Sequence, residues 1–516
     1  MNTSISRRNM LKGVAAGVAG AMASGIGGKV SLAAEKPDLL AVDPEPDFEL
    51  SPWLYMQFME PLGTTDGSVA VAWDHLHHCW REDVLEISRE LAPTMVRWGG
   101  CFSSYYRWKE AVGPRDKRVP MVNILWGGIE SNQIGTVEFV DYCNQVGADP
   151  LMCVNFESDG RRRWMKTPDG SVRTADAAEA AAWVAYCNDP DNTLRMEHGH
   201  KEPCRIPVWQ IGNETSYDRN GFDCETATRK TVEFAKAMRK ADPTIALIGW
   251  GEGGWASRMI EDAGEHLQYL AFHHMYNPGS DRDSPLKGTL YRDDPERTWH
   301  ALMEAWKPHD EKIRNMREQT DGKGIPLALT ECHFALDGPE RCHVLSSWAA
   351  GVAMARLLNL HTRNGDVLKI ATAADYCGNR WQVNALMLPD RQRPYLMPVA
   401  RVMQLYRAHV GNHAVNLDTI PDGLDVTASR TGKRVYLHVI NTNRTRSVET
   451  TLAVKGLSIK RGKVFEIATD PEFEVWSETR DVIAPQAKTM PENGVWTFPA
   501  ASVSAVELDV VDAERV

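Results

Sequence analysis

Two short apolar runs of the chain end in glutamate. Val208-Trp209-Gln210-Ile211-Gly212-Asn213-Glu214 reads as a strand closing on Asn-Glu, and Leu327-Ala328-Leu329-Thr330-Glu331 as a second strand closing on Glu. Two carboxyl groups delivered from strand ends can face each other across a substrate. One then attacks an anomeric carbon while the other protonates the departing oxygen and later deprotonates a water, which is glycosidic-bond hydrolysis with retention of configuration. In that scheme Glu214 is the expected general acid/base, with a pKa raised by burial and by its negative partner, and Glu331 is the expected nucleophile. Asn213 is expected to bind a substrate hydroxyl beside the reacting carbon. His274 and Tyr276, at the end of another apolar run, are expected to orient Glu331 through hydrogen bonds.

These side chains need a scaffold that brings distant strand ends to one face. Eight β-rich runs alternate with amphipathic helical stretches: Trp53–Met59, Thr94–Trp98, Pro150–Phe156, Pro207–Ile211, Ile245–Trp250, Gln268–His273, Pro326–Thr330 and Leu368–Ala374. The helical stretches include 82–91, 136–146, 177–187, 225–241, 297–317 and 346–362. Such alternation is the mark of βα repetition. At or just beyond the C-terminal ends of the runs stand Glu60, Arg97, Asn155, Asn213 with Glu214, His274 with Tyr276, Glu331 and Asp375. A (β/α)8 TIM barrel opens all of those positions onto one face, whereas an open sheet would gather only some of them. The expected fold class is therefore α/β, a (β/α)8 barrel over residues 53–397. The texture then changes to short alternating segments with turn signals such as Thr431-Gly432. Residues 398–516 are expected to form a C-terminal antiparallel β-sandwich domain, and residues 35–52 to contribute to it.

Residues 1–34 read as a secretory signal. Arg7-Arg8 precede a Gly/Ala-rich apolar run and then Ser31-Leu32-Ala33-Ala34, an order that points to the twin-arginine export route, with cleavage near Ala33 or Ala34 and a periplasmic or extracellular destination. No other segment approaches transmembrane length, so no stable membrane span is expected after signal removal. A formal charge of −11 gives no basic surface for nucleic acid. Seventeen Trp suit stacking on sugar rings, although most are expected in the core. No CxxC, CxxCH or Gly-rich strand-to-helix turn is present, and no cofactor is expected. Glu197-His198-Gly199-His200 with Cys204 fits no zinc spacing, and His75, His77, His78 and Cys79 read as a surface loop, so no metal site is expected either.

Several blocks taken together resemble glycoside hydrolase family 51, the α-L-arabinofuranosidases. They are Phe58-Met59-Glu60-Pro61-Leu62-Gly63, Val96-Arg97-Trp98-Gly99-Gly100-Cys101-Phe102 with Tyr106-Arg107-Trp108, Trp126-Gly127-Gly128, Gly135-Thr136-Val137-Glu138-Phe139, Tyr186-Cys187-Asn188 and Gly212-Asn213-Glu214. The resemblance covers most of the chain after the signal. It implies acid/base and nucleophile roles for Glu214 and Glu331, sugar contacts at Glu60, Cys101 and Gln382, and release of terminal α-L-arabinofuranose from an oligo- or polysaccharide. It also implies a homo-oligomer, since that family is often hexameric. Three departures alter the walls of the sugar pocket: Thr330-Glu331-Cys332 replaces Asp-Glu-Trp, Thr215-Ser216-Tyr217-Asp218 replaces the Trp-Gly continuation, and Gly99-Gly100 is not preceded by Pro. Two alternatives stay open, an endo-acting glucanase or xylanase of the same fold and a catalytically silent carbohydrate-binding barrel.

Overall fold

The computed structural model describes residues 38–277, 283–336 and 342–513. The expected export signal lies outside the described residues. Eight βα-type strands follow in chain order: β1 (Gln57–Met59), β2 (Met95–Trp98), β3 (Asp149–Val154), β4 (Val208–Ile211), β5 (Ala246–Trp250), β6 (Tyr269–Tyr276), β7 (Leu327–Phe334) and β8 (Leu368–Ala371). β9 (Asp375–Gly378) continues directly from β8. They pair in parallel in the order β8-β7-β6-β5-β4-β3-β2-β1-β9, with Asn384–Met387 and Tyr395–Leu396 added beyond β9. The result is an α/β protein with a curled, TIM-like parallel sheet and a separate C-terminal β sheet.

Parallel strands in such a sheet are buried on both faces, so parity along each strand decides which residues face inward. Met56, Met95, Leu151, Val208, Ile248, Ala271, Ala328 and Ile370 pack together as an inner layer. Two residues further along the strands, the same parity delivers Phe58, Arg97, Cys153, Gln210, Trp250 and His273, of which Arg97, Gln210 and His273 are polar. Leu85, Phe139, Trp183, Phe234, Phe272 and Leu329 belong instead to the large core between the sheet and its helices.

The helices 82–91 and 136–146 match the sequence expectation in full. The expected helix 297–317 is two helices, Pro295–Met303 and Trp306–Thr320. The reason is Pro308, which has no N–H to extend the first helix and is tolerated only in the first turn of a new one. The expected strand 53–59 begins as a 3-10 turn, Pro52–Tyr55, and only Gln57–Met59 pairs.

The C-terminal part differs from a purely antiparallel arrangement. Nine strands form one hydrogen-bonded sheet, and Asp38–Glu49 enters it between His413–Thr419, antiparallel, and Val448–Val454, parallel. His413–Thr419 and Gln486–Thr489 are strands that alternation alone did not reveal, because they are short or largely exposed. This sheet docks on the helix Trp348–Arg363. There Arg356 Nε donates to Asp425 Oδ2 at 3.0 Å, and the Trp348 indole N–H donates to the Ala501 carbonyl at 2.6 Å. Among the described residues no helix is long and apolar enough to cross a membrane.

Trp348 is fully buried at this junction. Replacing it with Ala removes both the packing and the hydrogen bond, and is expected to cost about 3–5 kcal/mol. The midpoint of thermal unfolding reads this; an unchanged midpoint would show that the two sheets do not depend on this contact.

Candidate functional site

The side chain at the centre of the strand-end face is Arg97, from β2, which is completely buried. Its Nη1 donates to Glu331 Oε1 at 2.8 Å, its Nη2 to Asn213 Oδ1 at 2.6 Å and its Nε to Gln210 Oε1 at 2.9 Å. One guanidinium thus ties β2 to β4 and β7. Burial works against its charge, but Glu331 and Glu60 more than offset this and leave its pKa above the ordinary value.

Glu331 reaches this face because β7 carries a bulge. Ala271 and Phe272 pair with Ala328 and Leu329, and then His273 pairs with Glu331, so Thr330 is an extra residue. A bulge re-aims the side chains that follow it. Thr330 Oγ1 lies 2.9 Å from His273 Nε2, on the inner face, and Glu331 faces inward beside it.

Glu214 follows β4 with a left-handed backbone, φ 51° and ψ 37°. Such a conformation is uncommon outside glycine and has to be held by its surroundings. Here Arg161 Nη2 donates to the Glu214 carbonyl. The buried Asp159 accepts from Asn213 N at 3.1 Å, Thr215 Oγ1 at 2.7 Å and Ser104 Oγ at 2.5 Å. Asp159 itself sits in a run of three left-handed residues, Glu157, Ser158 and Asp159, at φ 47°, 56° and 52°. Asn155 supports that run: its Oδ1 accepts from Ser158 N, and its amide donates to the carbonyls of Tyr106 and Arg173.

The two carboxylates meet at His273. Its Nδ1 is 3.1 Å from Glu214 Oε1 and 3.6 Å from Glu331 Oε2, and one oxygen of each carboxylate lies within 4.8 Å of the other. Burial lowers the pKa of His273 to about 4, so the ring is neutral near pH 7. Burial also raises the pKa of Glu214, against the opposing effects of Arg161, Cys101 and Arg97. The Cys101 thiol donates to Glu214 Oε2 at 3.6 Å; burial, then the Glu214, Glu60 and Glu331 charges, push its pKa far up and keep it a thiol.

Glu60 lies on the same face. Its Oε1 accepts from Phe102 N at 3.0 Å and from the Trp126 indole N–H at 2.8 Å. Burial and then the Glu331 charge hold its pKa well above the usual range. Gly100 makes this approach possible: at φ 149°, a Cβ there would stand 1.9 Å from Glu60 Oε2. Trp126 packs edge-on against Trp381 at 5.3 Å, next to Gln382, which is half-buried in the loop after β9.

The structure therefore brings Glu60, Cys101, Asn213, Glu214 and Glu331 together, with Gln382 adjoining Trp381 at the rim. It corrects the assignment of His274. That ring lies on the helix side of β6, 4.4 Å from the ring of His309, and Glu331's neighbour on β6 is His273. Tyr276 packs its ring edge-on against Phe334 at 4.8 Å. Residues the sequence reading missed are His273, Gln210, Asp159, Arg161 and Trp126. No local signal separates His273 from His274, because Leu270, Ala271 and Phe272 are all apolar; pairing with β7 places His273 beside Glu331. His198 of the loop considered for metal binding lies with its Nδ1 3.1 Å from the Tyr186 hydroxyl.

A TIM-like α/β scaffold with two facing carboxylates at its strand ends is the class of protein that fold and site define. The sequence profile of the alpha-L-arabinofuranosidase 1 domain matches residues 87–292, which include Arg97, Cys101, Asn213, Glu214 and His273 but neither Glu60 nor Glu331. The probable alpha-L-arabinofuranosidase C of Aspergillus flavus is 36% identical over 185 residues, 34% of this chain and 34% of that protein. The intracellular exo-alpha-(1->5)-L-arabinofuranosidase of Streptomyces lividans is 32% identical over 228 residues, 41% of this chain and 32% of that protein. The chain thus spans about a third of the length of these curated relatives. Among solved structures, the α-L-arabinofuranosidase of Thermotoga maritima in its arabinose complex superposes with a TM-score of 0.76 at 23% identity, over 91% of this chain and 99% of that one. The family 51 α-L-arabinofuranosidase of Bifidobacterium longum gives 0.77 at 20% identity, over 92% and 100%. Residues 87–292 thus match the alpha-L-arabinofuranosidase 1 domain, and the fold is shared with family 51 structures.

Removing the guanidinium alone would leave the Glu331 carboxylate buried without its cation. Arg97→Met is expected to lower stability by about 3–5 kcal/mol, while the double change Arg97→Met with Glu331→Met recovers much of that loss. Denaturant midpoints of the three proteins decide it; a double variant no more stable than Arg97→Met would contradict the pairing.

Proposed function

We propose that the protein is a retaining α-L-arabinofuranosidase, releasing terminal arabinofuranose from an oligo- or polysaccharide by double displacement. The observation that carries this reading is the separation of the carboxylates, with an oxygen of Glu214 and one of Glu331 within 4.8 Å. Retaining glycosidases hold their two carboxyl groups about 5–5.5 Å apart, whereas inverting ones need about 6.5–9.5 Å to seat a water. The match of residues 87–292 to the alpha-L-arabinofuranosidase 1 domain and the likeness of fold support the choice of sugar.

In this mechanism Arg97 occupies Glu331 Oε1 and leaves Oε2 to attack the anomeric carbon. Glu214, whose pKa burial raises, gives its proton to the departing oxygen. A water then enters, Glu214 takes its proton, and the sugar ester on Glu331 is hydrolysed. His273 can serve both protonation states of Glu214. A neutral ring donates from Nδ1 to the carboxylate, or accepts there from the carboxylic acid while its own proton sits on Nε2 toward Thr330. The Asn213 side-chain nitrogen is buried with no hydrogen-bond partner among the described residues, and a sugar hydroxyl would satisfy it. Glu60 and Gln382 are the further sugar contacts of this reading. The curled sheet acts as a closed (β/α)8 barrel, a reading supported by the hydrogen bond from Met56 N to Ala371 O at 2.9 Å, which links the start of β1 to β8. The C-terminal sheet, which curls until Val454 pairs with Leu457, acts as its companion sandwich. Export by the twin-arginine route belongs to the same proposal and rests on Arg7-Arg8 and the apolar run after them.

A panel of nitrophenyl glycosides tests the substrate class: cleavage of the α-L-arabinofuranoside is expected, and cleavage only of pyranose polymers would favour an endo-glycanase. Glu331→Ala is expected to abolish turnover of every substrate. Glu214→Ala should lose about 10²–10⁴-fold on substrates with poor leaving groups, keep the first step with good ones and recover with azide. Azide rescue of Glu331→Ala, with inverted product, would reverse the roles.

The pH profile follows from the same assignments. The first step needs protonated Glu214, so kcat/KM should fall as pH rises through a pKa above the ordinary glutamate value of 4.5. A basic limb at or below that value would mean that Glu214 is not the acid.

A further inference from the structure

The end of the helix Ala177–Asn188 and the segment that leads into β4 are zipped together. Cys204 N donates to the Cys187 carbonyl at 2.7 Å. Two residues on, Ile206 is bound through both its backbone groups: Asn188 Oδ1 accepts from Ile206 N at 2.8 Å, and Asn188 Nδ2 donates to the Ile206 carbonyl at 2.9 Å. A direct backbone hydrogen bond of this kind holds two Cα atoms about 5–6 Å apart, which is the distance a disulfide spans. The side chains meet as well, since the Cys187 thiol donates to the Cys204 sulfur. Both cysteines are free thiols here.

The chain between them, residues 188–203, turns around a buried cation. Arg195 is fully buried, and its guanidinium donates to five carbonyls, those of Tyr186, Asp189, Pro190, His200 and Lys201. Cys187 is also fully buried, whereas Cys204 is partly exposed and open to a reagent in solution. The hydrogen bond from Cys187 holds the Cys204 pKa below the ordinary thiol value, against burial and with help from the Arg195 charge. A partly exposed thiol near a cation is the setting of a reactive cysteine.

We propose that Cys187 and Cys204 close into a disulfide in an oxidising compartment, stapling the 188–203 loop to the helix at the entrance to β4. The reaction is thiol–disulfide exchange with a low-molecular-weight disulfide such as oxidised glutathione. The Cys204 thiolate attacks one glutathione sulfur and expels the other as a thiolate. Cys187 then gives up its proton, attacks the Cys204 sulfur and expels the second glutathione. Two protein thiols lose two electrons, and one glutathione disulfide becomes two thiols. Glu214 stands past the far end of β4, so the staple acts on the stability of the scaffold and not on the carboxylate pair.

The test takes the full chain, purified with reductant, and treats it with oxidised glutathione. Free thiols are then blocked in denaturant, and the chain is digested without reductant and read by mass spectrometry. The peptide holding Cys187 should be linked to the one holding Cys204, about 2 Da below the sum of the two reduced peptides, and reductant should separate them. The oxidised chain should unfold about 2–5 °C above the reduced chain, and Cys204→Ser should show no such difference. Both cysteines blocked as free thiols, glutathione retained on Cys204, or Cys187 linked to another cysteine would each overturn the proposal. So would equal midpoints in the two states, or a difference that persists in Cys204→Ser. If Cys204→Ser does not fold, the linked peptide and the two midpoints of the unmodified chain decide alone. The oxidant is supplied in solution, so the outcome depends neither on the export route nor on the substrate.

Discussion

A buried guanidinium carries the site. Arg97 is inaccessible to solvent, and its three hydrogen bonds fix Gln210, Asn213 and Glu331. Taking a cation out of water is costly unless its donors are satisfied and an anion stands beside it. Glu331 provides the anion, and two side-chain amides from the β4 segment provide the other acceptors. The interaction therefore does two things at once. It orients one oxygen of Glu331, and it makes the relative positions of β2, β4 and β7 interdependent, so that the Glu331 side of the carboxylate gap is set by strands.

The Glu214 side of the gap is held by different means. Its left-handed backbone is kept in place by Arg161 at its carbonyl and by Asp159, which gathers Asn213, Thr215 and Ser104. Asp159 in turn sits in its own left-handed turn, steadied by Asn155. Polar residues at other strand ends thus serve as supports for the pair. Asn155 belongs to this group, while Asp375 Oδ1 lies 3.6 Å from His333 Nε2. His333 in turn lies two residues past Glu331 on β7.

Much of this was legible in the chain. The eight strands, the place of Glu214 just past β4, and helices 82–91 and 136–146 follow from apolar runs and helical periodicity, which local sequence encodes directly, whereas β7 does not end at Glu331 but runs on to Phe334. What sequence did not encode was side-chain parity in strands buried on both faces. With apolar residues at every position of Leu270-Ala271-Phe272, nothing local says whether His273 or His274 turns inward, and the bulge at Thr330 depends on pairing with β6. The break before Trp306 is readable from Pro308. The strands His413–Thr419 and Gln486–Thr489 carry several exposed residues, so their partners, more than their own pattern, make them strands.

The central claim is that Glu331 becomes covalently bonded to the sugar while Glu214 moves protons across a gap held by Arg97. Trapping that bond is the most direct measurement: Glu214→Gln is incubated with an activated arabinofuranoside, digested and analysed by peptide mass spectrometry. A pentosyl mass increase on the peptide containing Glu331 is the expected result. A pentosyl group on another residue, or rapid product formation with inverted anomeric configuration and no adduct, would contradict it.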